Sequence, residues 1–239
     1  VIKGDDVSLF YIASLQASIL LQRIEPRSKE NVLVCIDCVL GLPHQLGISW
    51  REALGLFANV SEYGRVAASK YFRKIGNGKI YYREFEAEIG AHSVFKETPF
   101  QRNIQTGTYR IWKDLSQNQT GFYVPAIEQA SHEAQIPLFE GYPSFSWKLL
   151  FDQRTRRPKD LREILRQTEF GLNWTDGHQD ATNKDPNLAD AFVLALTMRE
   201  YRHDAFNRTP HTEGWILGWK SGDRGHGPLI DAHITGGAR

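Results

Sequence analysis

Residues 31–43, Asn-Val-Leu-Val-Cys-Ile-Asp-Cys-Val-Leu-Gly-Leu-Pro, constrain the fold of this chain more than any other stretch. Val32 to Ile36 are consecutive apolar residues with no polar partner at period two. Such a run predicts a strand covered on both faces, in the middle of a mostly parallel sheet. Asp37 closes the run, and an unpaired carboxylate is too costly to bury without donors or a cation. Ligands of open α/β sheets gather beyond the carboxyl ends of the strands, where Asp37 falls. Gly41 and Pro43 then turn the chain. The alternative role for Asp37 is to cap that loop.

The segments on either side extend the α/β pattern. Val7 to Ala13 reads as a strand, and Ser14 caps a helix with Leu15, Ile19, Leu20 and Ile24 on one face, stopped before Pro26. Strand, helix, strand implies a crossover with parallel pairing. Ser49 to Glu52 is a capping box opening a helix to about Phe57, and a second helix covers Glu62 to Ile75. The Gly76-Asn77-Gly78 turn leads into a predicted strand at Lys79 to Phe85. Arg102 to Leu115 reads as a helix whose first turn carries Arg102, Gln105, Thr106 and Thr108, a polar cluster that either caps or binds an anion. Ile127 to Ala134 reads as helical. Pro137 to Pro143 gives a short strand with Glu140 at its carboxyl end, and Ser144 opens a helix to Phe151. Residues 50–130 form a mainly helical insertion or subdomain on the sheet core.

Asp185-Pro186 is a strong helix start, with Asp as N-cap and Pro at the first helical position. The helix from Asn187 to about Arg202 is apolar almost all round, which predicts burial. Asp190 interrupts that surface, and a helix interior offers it no free backbone donors. It therefore calls for a metal, a cation or a hydroxyl. An aromatic strand, Trp215 to Trp219, follows Glu213.

The 239 residues carry a net charge of +1, so nucleic-acid binding would need a local patch rather than a global field. From Lys148 to Arg166 there are seven basic residues against three acids, including Arg154, Arg156, Arg157 and Lys159. Such a run is either a solvated face or a track for a phosphate backbone. No apolar run approaches the roughly 20 residues that span a bilayer. Cys35 and Cys38, the two cysteines, form a C-x-x-C that lies on and just beyond a strand rather than at a helix start, which favours small buried thiols in a reducing cytoplasm over a redox pair. Asn59, Asn118, Asn173 and Asn207 stand in glycosylation sequons, read here as coincidental.

The chemistry left at strand ends and in the buried helix is carboxylate: Asp37, Glu140 and Asp190, with Asp185 close by. Walker-type loops, nucleophile elbows and H-E-x-x-H are absent from the sequence. Hard carboxylates without His or Cys ligands suit Mg²⁺ or Mn²⁺, and such sites serve phosphoryl transfer.

Four blocks carry a resemblance: residues 35–43, Phe139 to Leu150 (Phe-Glu-Gly-Tyr-Pro-Ser-Phe-Ser-Trp-Lys-Leu-Leu), Leu188 to Leu196 and Glu213 to Ile216. Together, and in this order, they resemble the signature blocks of the domain of unknown function 429 family, described as predicted nucleases with an RNase H-like fold. The resemblance implies a mixed sheet flanked by helices and a carboxylate constellation. Asp37 would match the acid of the fourth strand, Asp190 that of the last helix and Glu140 the Glu-x-Tyr-Pro block. Asp185 departs from the closer acidic spacing of resolvases. The resemblance also places the first two strands of the fold, the first with an essential Asp, upstream of Val1, so the expected site is incomplete as it stands. Two readings follow: a divalent-metal-dependent nuclease, or a non-catalytic protein of the same fold that binds a nucleotide, a nucleic acid or a protein.

Overall fold

The computed structural model describes residues 2–3, 6–7, 32–57, 60–96, 102–117, 121–127, 135–151, 182, 184–207, 211 and 213–219. Ile2–Lys3 (β1) and Asp6–Val7 (β2) pair antiparallel, apart from the main sheet. Val34–Ile36 (β3), Phe122–Tyr123 (β4) and Ile136–Glu140 (β5) form a parallel sheet in the order β3-β5-β4. Val34, Cys35 and Ile36 face Leu138, Phe139 and Glu140 in register. The helices among the described residues are Trp50–Gly55 (α1), Arg65–Ile75 (α2), Glu84–Ile89 (α3), Arg102–Ser116 (α4), Pro143–Phe151 (α5) and Pro186–Phe206 (α6). The architecture is therefore mixed α/β.

The Asp37 strand is an edge of the described sheet, and β5 is its centre. Burial follows that order: Val34 and Cys35 are half-buried, while four of the five β5 residues are buried. The deepest part of the 31–43 stretch is the loop after the strand, Cys38 to Leu42. Buried loops must satisfy their backbone groups internally. Here α4 does so. Thr108 Oγ1 accepts the Val39 N–H at 3.0 Å and Trp112 Nε1 donates to the Val39 carbonyl at 2.6 Å. Thr108 and Trp112 are one helical turn apart, so a single face of α4 reads the loop.

Aromatic rings join the remaining helices to that face. Trp50 meets Trp112 edge-on at 4.8 Å, Phe57 stacks on Tyr71 at 4.1 Å, and Phe72 lies 5.3 Å from Trp112. Edge-on and offset pairs of this kind add to the burial of large apolar area. Helices α1, α2 and α4 consequently share one core with Ile36, Leu40 and Phe139.

Several local expectations meet the structure directly. Ser49 and Glu52 form the reciprocal capping box, and Asp185 caps α6 with Pro186 in its first turn. The turn after α2 takes positive φ at Asn77 (48°) and Gly78 (72°). α6 runs on to Phe206, one turn beyond its expected end. Lys79 to Phe85 is not a strand. Tyr81, Arg83 and Phe85 do turn inward in alternation, but the Glu86 carboxylate accepts the Arg83 N–H at 2.9 Å and starts α3 there. Trp215 to Trp219 also differs from the expected strand: Ile216 makes an isolated parallel bridge to Glu140, and positive φ at Gly214 (69°) and Gly218 (82°) bends the chain on either side. Of the strand expected at 7–13, Val7 is described. Residues 8–31, including the expected first helix, and 128–134 lie outside the described residues.

Candidate functional site

Glu140 leaves the end of β5 with 3% of its surface exposed. Arg83, 1% exposed, grips it with two parallel hydrogen bonds, Nη1 to Oε2 at 2.6 Å and Nη2 to Oε1 at 2.5 Å. The Leu40 N–H also donates to Oε2, at 2.6 Å, and Arg83 Nε turns to Glu86 Oε1 at 2.8 Å. Burial pushes the Glu140 carboxyl upward, opposed by the guanidinium and the Leu40 N–H. For Arg83, burial works against the charge, but Glu140 and Glu86 outweigh it and hold the guanidinium charged. Both Glu140 oxygens thereby help to pin the buried loop and α3 to the sheet.

The Glu213 segment crosses the same loop. A Cβ on Gly41 would overlap the Glu213 carbonyl, and one on Gly214 would overlap the Leu40 carbonyl, so both crossing chains need glycine here. Glu213, itself 1% exposed, accepts the His44 N–H at 2.8 Å and lies 2.6 Å from His44 Nδ1, both through Oε1. Its Oε2 accepts the Glu84 N–H at 2.8 Å. Burial alone would raise the Glu213 pKa. The donors from His44 and Glu84 outweigh it and hold the carboxyl below its usual range.

A folded pKa below the unfolded one gives stability that is present above the unfolded value, about 4.3, and lost as pH falls through the folded one. Glu213→Gln is therefore expected to lower the melting temperature at neutral pH and to lose less on acidification from about pH 6 to pH 3 than the parent chain. Thermal melts across that window check this. Equal losses in both proteins would contradict it.

Asp37 is half-buried one residue past β3, and its charge, with that of Glu140, adds to burial in raising the Cys35 thiol pKa. Asp190 is half-buried on α6 and accepts from Trp147 Nε1 of α5 at 2.9 Å. The two elements meet at Gly141, where an added Cβ would strike both Cys35 Sγ and the Leu194 methyls. Asp190 lies one turn before Leu194, and Asp37 two residues beyond Cys35. Phe206, at the far end of α6, packs on Phe139 of β5 at 5.5 Å. Asp185 takes a capping role at the head of α6: its Oδ1 accepts the Asn187 N–H at 2.8 Å. Among the described residues, no group of three or more His, Cys, Asp and Glu is placed to hold a metal ion.

In the first turns of α4, Gln105 Nε2 donates to the Val94 carbonyl at 2.9 Å and Thr108 serves the loop. Both cysteines are free thiols, and burial is the main cause that raises their pKa values, the opposite of an activated redox pair. Arg154, Arg156, Arg157 and Lys159 lie outside the described residues. Sequence reasoning missed Arg83, because its alternating neighbours resemble a strand. No local pattern in the sequence links His44 to Glu213, which stands 169 positions away.

Among the described residues no helix is long and apolar enough to cross a membrane. The chain matches no family model, no curated protein and no solved structure.

Proposed function

We propose that this chain is a divalent-metal-dependent phosphodiester hydrolase, a nuclease of the RNase H-like class, with Asp37 and Asp190 as its principal carboxylates. The observation that carries the reading is the meeting of β3 and α6 at Gly141, just past β5, with Asp37 two residues beyond Cys35 on one element and Asp190 one turn before Leu194 on the other. The four sequence blocks that resemble a predicted nuclease family support it. So does the donor chemistry, since Mg²⁺ keeps several waters and needs as few as one or two carboxylates. Trp147 holds Asp190 from behind, as hydrogen-bonded partners of metal-ligating carboxylates do. Mg²⁺ or Mn²⁺ bound there would supply Lewis-acid stabilisation of charge at a phosphoryl oxygen.

The chain's own residues then take distinct parts. Asp37 and Asp190 hold the cation, with Asp185 as the further acid at the head of α6. Glu140 and Arg83 keep the loop after Asp37 in place. The basic run with Arg154, Arg156, Arg157 and Lys159 is the proposed phosphate track, which makes a nucleic acid the substrate. Free thiols fit a cytoplasmic setting.

Incubation with labelled single-stranded, duplex and branched DNA and RNA tests the reading. Cleavage is expected with Mg²⁺ or Mn²⁺ and not with EDTA. The commitment of Glu140 to Arg83 favours a second reading, a non-catalytic nucleic-acid-binding protein of the same fold. Saturable binding without cleavage under every metal condition would select it.

A further inference from the structure

The His44–Glu213 pair is built asymmetrically. Its carboxylate end is sealed, with Glu213 1% exposed, while the His44 side chain is 64% exposed. One carboxylate oxygen holds both the His44 backbone N–H and Nδ1, which fixes the ring relative to its own main chain. An ionised carboxylate only accepts hydrogen bonds, so Nδ1 must carry the proton. In the neutral imidazole the lone pair then sits on Nε2, the outward nitrogen. A role confined to holding the loop would be met by the backbone N–H alone.

The neighbours are also defined. Arg83 Nη1 reaches the Glu213 carbonyl at 3.4 Å, His211 Nδ1 accepts the Glu213 N–H at 3.2 Å, and Glu84 supplies a backbone N–H to Glu213. His44 follows β3 in the same loop as Asp37, and that loop is tied to the carboxyl end of β5 through Leu40 and Glu140.

We infer that His44 is the general base of the hydrolysis proposed above, with Glu213 as its positioning residue. The inference rests on that reading. In the step, a water oxygen bonds to phosphorus, the P–O bond to the leaving alkoxide breaks, and the water proton passes to His44 Nε2. Orientation by a buried carboxylate is how histidine bases are held in the productive tautomer.

His44→Ala tests it, since an exposed side chain is removed while the backbone bond to Glu213 remains. The expected result is a 10²–10⁴-fold fall in metal-dependent cleavage, the usual contribution of a general base. Two further readouts separate chemistry from structure: added imidazole restores part of the rate, and the rise of rate with pH on the acid side disappears. The ¹⁵N shifts of the His44 ring in the parent chain should report Nδ1–H with unprotonated Nε2, a preference lost in Glu213→Gln. Cleavage by His44→Ala at the parent rate would overturn the inference and leave the nuclease reading standing. An Nε2–H tautomer in the parent chain would overturn it as well. A parent chain that cleaves nothing would overturn both.

Discussion

Replacing Arg83 by methionine is expected to lower the stability of the fold by about 3–5 kcal/mol, the range seen when a buried ion pair loses one partner. The substitution leaves Glu140 buried with an oxygen that no longer has a cation, and removes a bond to Glu86 as well. Leu40 would keep its hydrogen bond, but one backbone donor does not replace a bidentate guanidinium. Denaturant unfolding measures the loss. The double variant Arg83→Met/Glu140→Leu should recover a large part of it, because the stranded carboxylate is gone and the volume is kept apolar. A single variant that unfolds at the parent midpoint would show that the pair does not hold the loop.

The second large effect is chemical. Asp37→Asn and Asp190→Asn are each expected to reduce cleavage by about 10³-fold or more, equivalent to roughly 4 kcal/mol of transition-state stabilisation. Apo stability should change little or rise, since an amide replaces a half-buried charge without altering shape. Trp147→Phe should be milder, about 10-fold, as expected when a partner behind a ligand is removed. Steady-state cleavage rates beside melting curves separate the classes: Arg83→Met loses stability, and Asp37→Asn loses rate. Equal rates for Asp37→Asn and the parent would remove Asp37 from the site.

The features legible in the sequence are those decided within a few residues. Ser49 with Glu52, Asp185 with Pro186 and the Asn77-Gly78 turn each act over one turn of chain, and each stands where expected. The strand ends bearing Asp37 and Glu140 were also legible, because apolar runs and breakers mark them. What remained hidden is solvation. Glu140 and Asp37 read alike, both acids just past a strand, yet one is sealed against Arg83 and the other is half-buried at the edge. The difference comes from Arg83, 57 positions from Glu140, in a segment whose alternation mimics a strand. The 31–43 run reads as mid-sheet for a similar reason. Among the described residues β3 pairs with β5, and the loop that follows is covered by the α4 face and the Glu213 crossing.

One cation shared by Asp37 and Asp190 is the centre of the proposed chemistry. Titration of Mn²⁺ into the protein, followed by the loss of the free-ion paramagnetic resonance signal, measures it without any need for a substrate. The parent chain should bind Mn²⁺ saturably and gain melting temperature in proportion to the logarithm of metal concentration over Kd. Asp37→Asn and Asp190→Asn should each lose both effects, whereas Asp204→Asn, on the exposed last turn of α6, should keep them. Binding that is unchanged in both variants, or no binding by the parent chain, would contradict a metal held between these two carboxylates.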